Sequence, residues 1–176
     1  AYRQMDAGRA GGMLAEAMSL AEAPVVPPSA AEAGKVPVQQ PGTYPTDRAR
    51  LEAALPKLMA VAEAYPVADA GIMARYRAAS ALVAIGKPAD GIQRYREVVE
   101  KGRGVYQVMA RLGIADAQLA GGQFDLAIAS YKEAAALNSD DAPADGILMQ
   151  LARAYRLAGK ADEAKKTFKR VADEYP

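Results

Sequence analysis

The chain has 176 residues, of which 51% are hydrophobic, and its 22 Lys and Arg residues nearly balance its 21 Asp and Glu residues. Such a balance creates no strong positive field, so nucleic acid is not expected as a partner. The sequence contains neither His nor Cys, which removes the commonest general base, thiolate nucleophiles and the preferred zinc ligands. We therefore expect a packed, non-enzymatic protein without a cofactor or a metal site.

The first predicted element is an N-terminal helix within residues 1–23. Its apolar stripe consists of residues at helical spacing, namely Leu14, Ala17, Met18 and Ala21. The next segment, residues 24–45, contains six prolines. Prolines at this density forbid a helical hydrogen-bond ladder, so we predict a long loop there.

Helical patterns resume after this loop and continue to the end of the chain. Thr46 is a good cap for a helix that ends before Pro66. Three predicted helix pairs follow it, with turns or breaks between them. We predict repeats over residues 46–176, as a degenerate unit and three pairs at 46–66, 68–101, 105–138 and 143–176.

A three-part spacing recurs in these pairs: a Gly, a small residue five positions later, and an aromatic residue four positions after that. The three occurrences are Gly86, Gly91 and Tyr95, then Gly122, Ala127 and Tyr131, then Gly159, Ala164 and Phe168. The Gly suits a helix C-terminal cap, and the small residue allows a close helix crossing. The first helices offer matching small residues, Ala79, Ala115 and Ala152. We expect the aromatic residues to pack in the core.

These positions resemble the tetratricopeptide repeat family, most clearly over residues 68–176. The resemblance implies an all-α fold, a right-handed superhelix of about four antiparallel helix pairs, with the first pair split by the Pro-rich loop. It also implies binding of a protein or peptide partner. The family pattern does not identify that partner.

The Ala-rich first helix, the long insertion and the two Tyr-Pro endings at residues 65–66 and 175–176 carry a narrower resemblance. They look like bacterial envelope proteins of the ancillary SecYEG translocon subunit type. That resemblance implies a role in envelope protein assembly or translocation, with the repeats in the periplasm. It further implies an inner-membrane anchor before Ala1, through which alone the protein would contact the membrane.

By the family's geometry, the partner lies in a concave groove lined by the first helix of each pair. The groove residues implied here are Met73, Tyr76, Ser80, Met109, Leu112, Asp116, Met149, Arg153 and Arg156. The three Met side chains would offer an adaptable apolar surface, or they simply pack against neighbouring helices. The two Arg side chains suit a carboxylate of a bound peptide, or they form a solvated face.

Three alternatives concern self-assembly, catalysis and metal binding. Phe168 and Val171 lie in a final helix with no capping helix after it, which favours a self-assembling, homo-oligomeric scaffold. An enzyme would have to rely on carboxylate or Lys chemistry, such as Glu97 with Glu100, at solvent-facing positions without an evident pocket. The polar run from Asn138 to Asp145 lacks the spacing of a calcium loop and indicates a cap and turn.

Overall fold

The computed structural model describes residues 2–28, 38–137 and 144–175. Within them the chain forms an all-α helical repeat fold, as the sequence predicts. Its eight helices are α1 (Tyr2–Ala21), α2 (Asp47–Ala64), α3 (Asp69–Ala84), α4 (Pro88–Lys101), α5 (Val105–Ala120), α6 (Phe124–Ala136), α7 (Ala144–Leu157) and α8 (Ala161–Glu174). The middle of the predicted loop, the predicted turn at 138–143 and Pro176 lie outside the described residues.

The chain divides into two compact units, Ala1–Asp90 and Gly91–Pro176. α4 begins at the end of the first unit and continues in the second. The repeat boundaries and the superhelix handedness stay predictions. No helix in the described part of the chain is both long enough and apolar enough to cross a bilayer.

In the first unit, α2 packs against both α1 and α3, and α1 also contacts α3. Their shared core consists mostly of Ala, and its buried residues are Ala17, Ala54, Leu58, Val61, Ala62, Ala74 and Ala78. Small side chains let helix axes approach closely, which compensates for the scarcity of aromatic residues. The predicted apolar stripe of α1 packs against this core.

α2 begins at the predicted cap, because the Thr46 hydroxyl oxygen accepts a hydrogen bond from the Ala49 N–H at 3.1 Å. At its other end, the buried guanidinium of Arg75 donates to the Ala62 carbonyl at 2.7 Å and to the Pro66 carbonyl at 3.2 Å. These carbonyls lack helical partners at a helix end. Arg75 thus ties the end of α2 to α3.

The two ends of the Pro-rich loop are held together. Val25 and Tyr44 form an isolated parallel bridge. The Tyr44 N–H donates to the Pro24 carbonyl at 3.0 Å, and the Val26 N–H donates to the Tyr44 carbonyl at 2.9 Å. The Gln39 amide adds a bond to the Val26 carbonyl at 2.8 Å. The end of α1 and the start of α2 are therefore brought side by side.

In the second unit, α6 packs against α5 and α7, and α8 packs against α7. The main core contains the predicted small residues of two pairs, and its buried members are Ala115, Ala127, Ile128, Tyr131, Leu148, Leu151, Ala154, Tyr155 and Ala164. Tyr95 of α4 is also buried, and its ring lies where a side chain at Gly113 of α5 would be. Phe168 is partly buried against the main core. The predicted packing role of the aromatic residues is confirmed.

The glycine of the recurring triplet forms the same turn each time. At the end of α3, Gly86 has φ +83°, its N–H donates to the Val83 carbonyl at 3.0 Å, and the Lys87 N–H donates to the Leu82 carbonyl at 2.8 Å. This pair of bonds satisfies carbonyls that the helix end leaves open, and it needs a left-handed residue. The same two bonds recur around Gly122 and Gly159. The predicted glycine caps are confirmed.

Candidate functional site

A cavity of about 360 Å³ opens between α1, α2 and α3 in the first unit. α1 and α3 are predicted to be the first helices of successive pairs, so two of the three helices around this cavity are ones that the sequence predicts to line the groove. The residues that line it are Met18, Ala21, Glu22, Arg50, Leu51, Leu58, Arg77, Ser80, Ala81 and Ala84. Ser80 is among the groove residues expected from the sequence.

The interior of this cavity is apolar and its margin is polar. Leu58 is 1% exposed, whereas Arg77 and Ser80 are exposed. An apolar side chain of a bound peptide would lose water contact against the leucines, and the exposed groups would remain available to peptide carbonyls. A cavity of this kind suits one anchoring side chain of an extended segment.

Arg50 gives the cavity a fixed positive group. Its Nη2 pairs with the Asp47 carboxylate at 2.6 Å, and its Nη1 donates to the Ala23 carbonyl at 3.2 Å. Its Nε is buried without a hydrogen-bond partner among the described residues. The guanidinium is therefore anchored at two atoms.

The other expected groove residues of the first unit, Met73 and Tyr76, are half-buried on α3. Together with Ser80 they occupy positions i, i+3 and i+7, which share one helix face. Only Ser80 lines the cavity. Met73 and Tyr76 stay predicted contact residues.

In the second unit, the expected residues of α5 differ in their surroundings. Met109 and Leu112 are half-buried, and Leu112 packs against both core clusters of this unit. Asp116 is exposed and accepts a hydrogen bond from the hydroxyl of the buried Tyr131 on α6. Leu112 therefore contributes to packing, while Asp116 presents a carboxylate held by a buried partner.

The expected residues of α7, Met149, Arg153 and Arg156, are all exposed, and Met149 is 46% exposed. For Met149 this favours the adaptable surface over the alternative of packing against a neighbouring helix.

Asp116 and Arg153 both lie close enough to Tyr131 to influence the pKa of its hydroxyl. Burial raises the pKa of the Tyr131 hydroxyl, and the hydrogen bond and negative charge of Asp116 raise it further. The positive charge of Arg153 opposes these effects. Three successive helices thus place a carboxylate and a guanidinium near one buried phenol. The sequence placed Asp116 and Arg153 on one face, but it indicated only a core role for Tyr131.

Glu97, the carboxylate considered for catalysis with Glu100, pairs with Arg94 at 2.7 Å. Glu100 is exposed. Within the described ranges, no group of three or more acidic side chains is placed to hold a metal ion.

Two models of the tetratricopeptide repeat family match the sequence, one over residues 76–142 and the other over residues 118–176. The matches overlap and together span more than half of the chain. The chain contains tetratricopeptide repeats. Such repeats are generally non-enzymatic modules for protein–protein interaction. No curated protein matches the sequence.

Two crystal structures from Podosopora anserina are similar to this chain. Both show nearly identical tetratricopeptide-like repeats of a protein named as a kinesin light chain. Each has a TM-score of 0.59 and 20% sequence identity, and the match covers 69% of this chain and 65% of that one. This chain therefore matches less than two thirds of their length. At this identity the likeness supports the tetratricopeptide repeat fold alone.

The tetratricopeptide repeat matches cover α4 to α8 in full. α5 and α7 are the predicted first helices of the pairs in this matched part, so the predicted groove face there stays a prediction. α1 and α2 precede the matched residues, and the cavity at Ser80 draws on them as well as on α3. The matched repeats and the preceding helices therefore both contribute candidate surfaces.

Proposed function

We propose that this chain binds a segment of another protein on the faces formed by its first helices. The observation that carries the proposal is the cavity at Ser80, which combines an apolar interior with an exposed polar margin. The second unit offers a separate candidate surface, where the exposed Met149 and the charged side chains of Asp116 and Arg153 are groups of the kind that a peptide contacts. The family match supports this class of function.

The proposed binding site is tested by filling the cavity at Ser80 with a larger side chain. Peptides would first be selected from a random displayed library with the purified full chain, and their affinities would then be measured for two variants. Ser80→Trp fills the cavity from an exposed position, whereas Ala129→Trp places the same side chain on an exposed position of α6. We expect Ser80→Trp to weaken binding at least about tenfold, the loss of one anchoring side chain. Equal affinities for Ser80→Trp and the wild type would contradict this site.

We further propose that the binding serves protein assembly or translocation in a bacterial envelope, with the repeats in the periplasm and an inner-membrane anchor outside the sequence given. The proposal rests on the resemblance to ancillary SecYEG translocon subunits, and the absence of Cys is compatible with it. Alkaline phosphatase fused to the full-length protein tests the compartment, because this enzyme becomes active only after export. An inactive fusion that accumulates in the cytoplasm would refute the proposal.

Self-assembly is the alternative predicted from Phe168 and Val171. Both side chains are partly buried and pack against the main core of the second unit. Neither leaves a large exposed apolar surface for another copy. Light scattering over a concentration series distinguishes the two functions, and we expect a constant mass.

A further inference from the structure

A second cavity lies within the second unit, between α4, α5 and α6, and has a volume of about 250 Å³. Its lining shares no residue with the predicted groove set or with the cavity at Ser80. Its lining includes the polar side chains Arg96, Arg111, Gln118, Ser130 and Glu133 and the apolar Ile114. None of them belongs to the site proposed for the partner segment.

The cavity carries an excess of positive charge. Two guanidinium groups, Arg96 and Arg111, line it together with one carboxylate, Glu133. The Arg111 Nε and the Glu133 Oε2 are 3.5 Å apart, which is long for a charge-assisted hydrogen bond. Arg96 is exposed and forms no ion pair with a carboxylate in the described part of the chain. Glu133 therefore neutralises this charge only in part.

Arg111 also has unused hydrogen-bonding capacity. Its side chain is only 23% exposed, and its Nη1 is buried with no hydrogen-bond partner among the described residues. A buried donor without an acceptor is costly, and the cost is larger for a charged group. A small rotation of this guanidinium toward an incoming acceptor would relieve that cost.

Gln118 adds an uncharged hydrogen-bond donor to the two guanidinium groups of this cavity. The Ser130 hydroxyl donates to the Gln118 amide oxygen at 2.8 Å. Because its oxygen accepts this bond, the Gln118 amide presents its nitrogen as a donor. Gln118 is 6% exposed, so this polar side chain is held at the wall of the cavity rather than in bulk water.

We propose that this cavity binds a carboxylate group. Guanidinium groups match the planar geometry of a carboxylate, and Gln118 adds an amide donor. Ile114 gives the carbon chain that carries the carboxylate an apolar contact. A phosphate is disfavoured, because its second negative charge would face Glu133. The carboxylate can belong to a free small acid or to a polypeptide.

Binding is tested by nuclear magnetic resonance of the full chain, through the side-chain Nε–H signals of Arg96 and Arg111. The probes are butyrate, as a free monocarboxylate, and a short N-acetylated peptide with uncharged side chains and a free C-terminal carboxylate. Butyramide and the same peptide with a C-terminal amide are the matched neutral probes. We expect at least one carboxylate probe to shift both signals with a dissociation constant on the order of 1 mM, and the neutral probes to shift neither.

Variants distinguish carboxylate binding at this cavity from a purely structural role of its charged side chains. Arg111→Gln should weaken binding about tenfold, because one charged donor is lost. Glu133→Gln, at a side chain that is 67% exposed, should strengthen binding several-fold because the competing carboxylate is removed. Arg103→Gln is the control, since Arg103 is exposed and does not line the cavity. Circular dichroism of each variant checks that the helices persist.

Binding of only one carboxylate probe would support the site and identify its source, as a free acid or a polypeptide. The absence of signal shifts with both carboxylate probes would overturn the proposal. Equal shifts with the neutral probes, or weaker binding by Glu133→Gln, would also overturn it.

Discussion

At the scale of single residues, two contacts in this protein depend on how neighbouring helices pack. A Cβ atom at Gly71 would lie 2.6 Å from the Tyr65 carbonyl carbon, so α3 meets the end of α2 at a position without a side chain. Tyr131 and Asp116 are joined across two helices. Neither contact has a local sequence signal, because each depends on how the helices pack.

Gly71→Ala should lower the free energy of unfolding by about 1–3 kcal/mol, since the new methyl group meets backbone that cannot rotate away. Gly12→Ala is the matched control. It also lies inside a helix, but nothing lies within 4 Å of a Cβ atom placed there. Improved helix propensity should raise stability at that position by about 0.5–1 kcal/mol. Urea unfolding measures both changes, and effects of the same sign would contradict the contact.

Tyr131→Phe should lower the free energy of unfolding at neutral pH by about 1.5 kcal/mol, because the hydroxyl bond to a carboxylate is lost. The pKa of Tyr131 is raised in the folded chain. The protonated hydroxyl therefore makes its full contribution to the free energy of unfolding below the unfolded pKa of about 10. That contribution is lost as the pH rises toward the folded pKa.

The difference in stability between the wild type and Tyr131→Phe should thus shrink above about pH 10, by about 1.4 kcal/mol per pH unit. Urea unfolding of both proteins across this range measures it. Groups that titrate equally in both proteins change both free energies of unfolding by the same amount, so they do not affect the difference. A difference that stays constant through alkaline pH would show that Tyr131 is not held protonated.

At the scale of elements, the helix ends were the most predictable feature. The caps at Thr46 and at the three triplet glycines use hydrogen bonds between residues close in sequence. Local chemistry decides these bonds, so the sequence alone identified them. The bridge between Val25 and Tyr44 was missed because the prolines around it gave no strand signal.

Neighbouring glycines in one turn allow a controlled test of these caps. Gly122 has φ +73°, and nothing lies within 4 Å of a Cβ atom placed there. Gly122→Ala should therefore cost about 1–2 kcal/mol of stability through backbone strain alone. Gly121 has φ −82° and ordinary contacts, so Gly121→Ala should change stability by less than about 0.5 kcal/mol. Thermal unfolding compares the two, and equal losses would contradict the turn geometry.

At the scale of the whole molecule, the recurring triplet predicted the class of fold and, through it, the class of function. It could not predict the cavity at Ser80, because that cavity is formed with residues from α1 and α2 that carry no triplet. Nor could it distinguish Leu112, which packs in the core, from Met149, which is exposed. Both occupy first-helix positions, and only the packing of the neighbouring helices separates them.

The proposed function depends on partners binding the faces of the predicted first helices. Photoreactive residues placed singly in the full-length protein at Ser80, Met149 and Arg156 test this against the predicted second-helix positions Ala129 and Lys166, all of which are exposed. We expect protein partners to be crosslinked from the first three positions in living cells. Crosslinking from Ala129 and Lys166 instead would contradict the proposal.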